Sequence, residues 1–154
     1  MKFATRSNLG LNRPPAIWFI RRFVDPDAEI LLFPAETALA DAAEAGAVAF
    51  HIPGAELHMN KETKRTSLDA LIDRYAMRGK DPGLELLSDL VRDASYGVPA
   101  NAAKFPESHG IRALNQGFRA TTPDDRARIE KLCEVYEAMY QWCRTRAEAA
   151  ACAS

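Results

Sequence analysis

A chain of 154 residues with 47% hydrophobic and 27% charged side chains has the size and balance of one globular domain, 1–154, and is too apolar for a disordered one. Twenty basic and 21 acidic residues leave a formal net charge of −1, which argues against a polyanion binder held by net charge. No apolar run approaches the roughly 18 residues that span a bilayer.

Pro14 and Pro15 open a short helix from Ala16 to about Val24, with Ile17, Ile20 and Phe23 or Val24 at helical spacing; Asp25-Pro26-Asp27 stops it. The apolar run Glu29–Phe33 between turn signals reads as a buried strand. Pro34 then leads into an alanine-rich helix, Ala35–Ala45, ended by Gly46, and Ala47–Ile52 reads as a second strand. Strand, helix, strand is a short βαβ unit, so the two strands are expected to be parallel with a right-handed crossover. The stretch Pro53–Arg65 is polar and aperiodic, and loops of that length are usually functional or mobile.

Helical signals dominate the rest. Thr66-Ser67-Leu68-Asp69 fits a capping box for a helix to about Met77. Asp81-Pro82 places an N-cap and an N1 proline ahead of Leu84, Leu87, Val91 and Ala94. After an irregular stretch, Tyr96 to Glu107, a short helix runs from Ser108 to about Phe118. Thr122-Pro123-Asp124-Asp125 starts a long helix over about 123–146, with Ile129, Leu132, Cys133, Tyr136, Met139, Tyr140 and Cys143 on one stripe. The predicted class is α+β and mostly helical: one short βαβ unit, strands about 29–33 and 47–52, against about five helices.

The compartment expected is the cytoplasm. Met1 to Ile20 lacks the long apolar core and the cleavage pattern of a secretory signal. Cys133 and Cys143 are ten residues apart, about 15 Å along a helix, which is too far for a disulfide within it.

Two groups of residues carry candidate chemistry. Glu56 and His58 alternate in the long loop and can face one ligand if that segment is extended, with His109 able to complete a site for a divalent transition metal. His51 reads differently, as a half-buried structural histidine donating to a backbone carbonyl from the face opposite Val48, Phe50 and Ile52. Lys2, Arg6, Arg13, Arg21 and Arg22 all precede the first acid, Asp25. Guanidinium forks match two oxygens at once, so Arg13, Arg21 and Arg22 are candidate ligands of an oxyanion. No GxGxxG, P-loop, GxSxG, helix-turn-helix, RRM or zinc-finger pattern is present, and direct nucleic-acid binding is not expected.

Several segments together resemble a known family. Trp18-Phe-Ile-Arg-Arg-Phe-Val-Asp-Pro-Asp-Ala28 is similar to the PWLIRRFIDPxA signature of the chromate-resistance (ChrB-type) family's C-terminal domain. Phe50-His51-Ile52-Pro53-Gly54-Ala55-Glu56-Leu57-His58, Ser67-Leu68-Asp69, Asp81-Pro82 and Val135 through Cys143 fit later blocks of that family in the same order. The resemblance implies a role in bacterial chromate resistance. Longer members look like chromate-responsive regulators with an additional N-terminal domain, so this chain is expected to lack the DNA-binding capacity such a domain supplies. It also departs from the pattern: Asn12 stands for an aspartate, Ala16 and Thr66 for cysteines, and Arg126 for a histidine. Any metal or redox chemistry that depends on those family residues is expected to be lost here.

Three readings follow. The first is a small cytoplasmic accessory or sensor domain that binds chromate or a related oxyanion through its arginines, with or without a metal on Glu56, His58 and His109. The second is a metal-dependent hydrolase or reductase using His58 and Glu56. The third is a non-catalytic interaction domain, pairing with a second copy or a partner protein through the last helix. The first requires that His58 and the arginine pair share one hollow.

Overall fold

In the computed structural model, which describes residues 1–153, the centre of the sheet is a strand that local patterning did not announce. β1 (Lys2–Arg6) lies between β2 (Glu29–Phe33) and β3 (Val48–Ala49) in a parallel sheet of order β2-β1-β3. Phe3 pairs with Ile30 on one side and Val48 on the other. The two expected strands are therefore parallel but not neighbours, because β1 fills the place between them. β3 is also shorter than the expected 47–52: the chain turns away at His51, where φ is +51°.

Helices surround this small sheet. α1 (Arg13–Phe19) starts earlier than Ala16, with both prolines in its first turn where their missing N–H groups leave no gap, and it passes into a π-helical turn, Ile20–Val24. α2 (Ala38–Glu44) begins later than Ala35, because Pro34–Thr37 form a turn. α3 (Ser67–Arg74) has the capping box that its sequence predicts: Thr66 Oγ1 accepts from Asp69 N at 3.2 Å, and Asp69 Oδ2 accepts from Thr66 N at 2.9 Å. α4 (Pro82–Arg92) is capped by the Asp81 carboxylate, which accepts from Gly83 N and Leu84 N. It continues into a π-helical turn, Asp93–Gly97. α5 (Pro106–Thr121) and α6 (Asp125–Ala153) complete six α-helices.

The predicted stripe of α6 is the spine of the core. Ile129, Leu132, Tyr136, Tyr140 and Cys143 are buried against α4, whose Leu84, Leu87, Leu90 and Val91 are fully enclosed. At about 2 kcal/mol for each large apolar side chain, this seam accounts for much of the hydrophobic stabilisation. Close approach depends on Gly83: a Cβ there would sit 2.5 Å from Arg144 Cγ and 3.0 Å from its Cα. α1 packs on the same helix, and Trp18 Nε1 donates to Glu137 Oε2 at 2.9 Å. Trp142, by contrast, stays 39% exposed on the outer face of α6.

The segment after β3 is less irregular than its composition suggests. Phe50 bridges Leu57 in parallel and Asn60 bridges Arg65 in antiparallel fashion, so the chain folds back on itself twice before α3. Among the described residues no helix is long and apolar enough to cross a membrane.

Candidate functional site

In open parallel sheets, ligands bind beyond the carboxyl ends of the strands. Here the relevant ends are Arg6 on β1 and Ala49 on β3; Ala49 pairs with Ala4, so β1 runs two residues beyond the end of β3. The connection after β1 is tightly strapped. Arg13, only 6% exposed, donates to the carbonyls of Arg6, Ser7 at 3.2 Å and Asn8 at 2.6 Å. Asp125, at the start of α6, accepts from Asn8 N at 2.6 Å and Leu9 N at 2.9 Å. Arg128 donates to Leu9 O and Asp125, and Arg119 to the Asn8 side chain. Asn8 itself adopts a φ of +60°, a conformation asparagine tolerates better than most residues.

Beyond β3, the backbone N–H of His51 donates to Leu57 O at 2.8 Å, which brings His58 back over His51. The two imidazoles meet edge to face with centroids 5.4 Å apart. His51 is buried, not half-buried, and its partner is a hydroxyl where a backbone carbonyl was expected. Its Nδ1 lies 2.5 Å from Ser67 Oγ in the first turn of α3. The reason is the turn at His51, which takes the ring off the strand face and swings it toward α3.

Electrostatics set the state of these rings. Burial, followed by the charges of Arg13, His58 and Arg6, pushes the His51 pKa down to about 3. Burial, then Arg6 and Lys61, lowers that of His58 as well. Both imidazoles are neutral at pH 7. Burial lowers the Arg13 pKa to about 10; Arg6, Arg119 and Arg128 add to the effect, and Asp125 opposes it. Four buried side-chain atoms in this region have no hydrogen-bond partner: Thr5 Oγ1, Arg6 Nε, Arg13 Nε and His58 Nδ1. Buried donors of this kind are rare in folded proteins, because each costs free energy while it stays unmatched.

The arginines divide into two classes. Arg21 faces Glu130 at 2.9 Å, and Arg22 faces Glu137 at 3.4 Å while lying over the Phe23 and Tyr140 rings. Arg6, Arg13, Arg112 and Arg119 have no carboxylate within ion-pairing distance among the described residues, and all four border the β1–α1 connection. Thus the fold places Arg13 and His58 each within electrostatic reach of His51 and keeps Arg21 and Arg22 along α6. Glu56 is exposed and pairs with Arg74 at 3.6 Å, and His109 is exposed on α5. Among the described residues no three His, Cys, Asp or Glu side chains are grouped closely enough to hold a metal ion. Burial raises the thiol pKa of Cys133 to about 11 and of Cys143 to about 12, so neither is a thiolate at neutral pH.

Ser67 escaped the sequence reading, Arg6 entered it only as one of the basic cluster and His51 only as a structural histidine, since their surroundings depend on where β1 and β3 end. For Arg112 and Arg119 a local signal did exist: they are seven residues apart, on one helix face.

Comparison with known proteins then decides the family. The ChrB, C-terminal domain family matches residues 3–143. The chain belongs to that family. It is also similar to Protein ChrB of Cupriavidus metallidurans, at 27% identity over 140 residues, which cover 90% of this chain and 40% of that relative. The chain therefore spans less than half the length of the curated ChrB it matches. No solved structure matches it. Within this ChrB-type domain, His51 and His58 and the arginines Arg6, Arg13, Arg112 and Arg119 all fall inside the matched residues.

Proposed function

We propose that this ChrB-type domain serves chromate resistance as a ligand-binding accessory or sensor unit. Its ligand is a small oxyanion held beyond the carboxyl ends of β1 and β3 by Arg6, Arg13 and the His51–His58 pair. The observation that carries this reading is the set of buried polar atoms without partners: Arg6 Nε and Arg13 Nε, which can only donate, and His58 Nδ1, which donates in one tautomer of the neutral ring. An oxyanion supplies acceptors for all of them, and two uncompensated guanidinium charges balance a dianion such as chromate.

The imidazoles suit this role because they are neutral. A neutral ring can donate from one nitrogen while the other is held, as His51 is by Ser67. The arginine pair Arg21 and Arg22 does not share a hollow with His58, as the sequence reading required, so the proposal rests instead on Arg13 and His58, the residues from that reading that remain, together with Arg6. Arg21 and Arg22 each face a glutamate that an incoming anion would have to displace. A resident metal is less well supported, since Glu56 would have to leave Arg74 to reach it.

Calorimetric titration of the purified protein with chromate and with sulfate tests the proposal. Saturable 1:1 binding is expected, weakened about tenfold or more by Arg6→Gln or His58→Gln, as for loss of one hydrogen bond to a charged group. Absence of saturable heat at millimolar anion in folded protein would overturn it, as would unchanged affinity in both variants.

A further inference from the structure

On the α5 side of the β1–α1 connection lies a half-open cavity of about 180 Å³ whose lining includes none of Arg6, Arg13, His51 or His58. We propose that it is a second binding site, for a small organic carboxylate. One wall is α5, where Arg112, Asn115, Gln116 and Arg119 follow the i, i+3, i+4, i+7 spacing of a single face. The rest of the lining is Leu9, Gly10 and Leu11 from the β1–α1 connection and Arg128 from α6.

The charge pattern points to an anion. Arg112 gives one N–H to Ala94 O at 2.9 Å, and Arg119 gives one to Asn8 Oδ1 at 2.7 Å. Neither meets a carboxylate, whereas the charge of Arg128 is matched by Asp125 at 2.7 Å. Each of the first two therefore retains donors of its fork for a ligand. The two arginines are separated by two helical turns, about 10.5 Å of rise, with the amides between them. That arrangement suits a ligand with acceptors at both ends better than a single compact ion.

Leu11 refines the chemistry. A bare inorganic oxyanion gains nothing from the partly exposed Leu11, whereas a carboxylate with a short carbon chain can cover it while its oxygens meet the guanidinium groups. The cavity falls below the roughly 300–1,000 Å³ typical of sites for drug-sized molecules, which favours a dicarboxylate of a few carbons.

Occupancy would also stiffen the helix. Of the 16 residues of α5 only Ser108 and Ile111 are buried, both in its first half. The second half, which carries Asn115, Gln116 and Arg119, is the part with least packing to hold it. A ligand spanning Arg112 and Arg119 would tie that half to the strapped Leu9–Leu11 segment.

Succinate, acetate and sulfate are the probes, titrated calorimetrically into the full chain at constant ionic strength, with amide hydrogen exchange read in parallel. Succinate should bind 1:1 and more tightly than either of the others, and slow exchange over residues 112–121. Arg112→Gln and Arg119→Gln should each weaken succinate about tenfold or more while leaving helical content unchanged. Arg112→Lys, which keeps the charge and loses the fork, should recover part of the loss. Arg6→Gln should leave succinate binding as it is, which separates this site from the oxyanion site. Any of three results would overturn the inference: no saturable heat to about 10 mM succinate, sulfate binding at least as tightly as succinate, or succinate affinity unchanged in both glutamine variants.

Discussion

His51 Nδ1 and the Ser67 hydroxyl, 2.5 Å apart and both buried, join the end of β3 to the first turn of α3. The contact holds a neutral ring against two arginines, and it has a thermodynamic signature. The folded-state pKa of His51 is about 3 against an ordinary value of 6.5, so between those values the unfolded chain binds the extra proton. Stability from this group is therefore full above pH 6.5 and falls as pH drops toward 3. His58, shifted in the same direction, adds to the slope.

Urea unfolding should show this directly. Wild-type protein is expected to lose about 1.6 kcal/mol between pH 6.5 and pH 5 through His51 alone. His51→Gln should flatten that part of the profile while lowering stability at pH 7 by about 1–2 kcal/mol, as for a lost buried hydrogen bond. An identical pH profile in the variant would show that His51 is not the group responsible.

A second buried charge fixes the helical half. Asp69 is fully enclosed and accepts from Arg92 at 2.6 Å, Arg78 at 3.1 Å and Thr66 N at 2.9 Å. Burial alone would raise its pKa, but Arg92 and the Thr66 amide outweigh that, and the net shift is downward. Asp69→Asn leaves both guanidinium groups without their shared carboxylate. A loss of roughly 3 kcal/mol is expected from chemical denaturation at pH 7, near the low end for a broken buried pair because both arginines are partly exposed. A loss under about 1 kcal/mol would mean the arginines find other partners.

Helix packing offers a steric test. Gly83→Ala puts a methyl against the Arg144 backbone, where the Cα would be 3.0 Å away. The seam between α4 and α6 has to open slightly, at a cost of about 1–3 kcal/mol, the range for overpacking. Gly110, with open space around its Cβ position, provides the contrast. Gly110→Ala in the exposed part of α5 should stabilise or leave stability unchanged, since alanine is the better helix former. Thermal denaturation of the two variants side by side checks the sign of each.

How much of this was legible depends on the range of the forces involved. The caps at Thr66 and Asp81 and the stripe of α6 are written within a few residues, and each was read correctly. β1 was not, because Lys2-Phe-Ala-Thr-Arg6 contains two apolar residues flanked by charges; its burial follows from β2 and β3 pairing on both sides. The same applies to the arginines. Nothing near Arg21 and Arg22 in sequence reveals Glu130 and Glu137, more than a hundred residues away, and nothing near Arg6 reveals that no acid arrives. Arg13 was a candidate for its guanidinium fork and His58 for its spacing from Glu56; that both come within reach of His51 is a product of topology.

Asp125 ties the helical half of the molecule to the sheet, since a carboxylate on α6 holds the loop that follows β1. It accepts from Asn8 N and Leu9 N and also meets Arg128. Asp125→Ala removes both acceptors without touching Arg6, His51 or His58. Exchange of the Asn8 and Leu9 amides should accelerate at least tenfold, and global stability should fall by about 1–3 kcal/mol as Arg128 loses its partner in a buried position. Oxyanion affinity should drop as well, because Arg13 is held in place by the carbonyls of this same loop. Asp125→Asn, which keeps one acceptor, should recover part of the amide protection. If amide exchange accelerates while oxyanion affinity is unchanged, the loop is a structural strap that the ligand does not use.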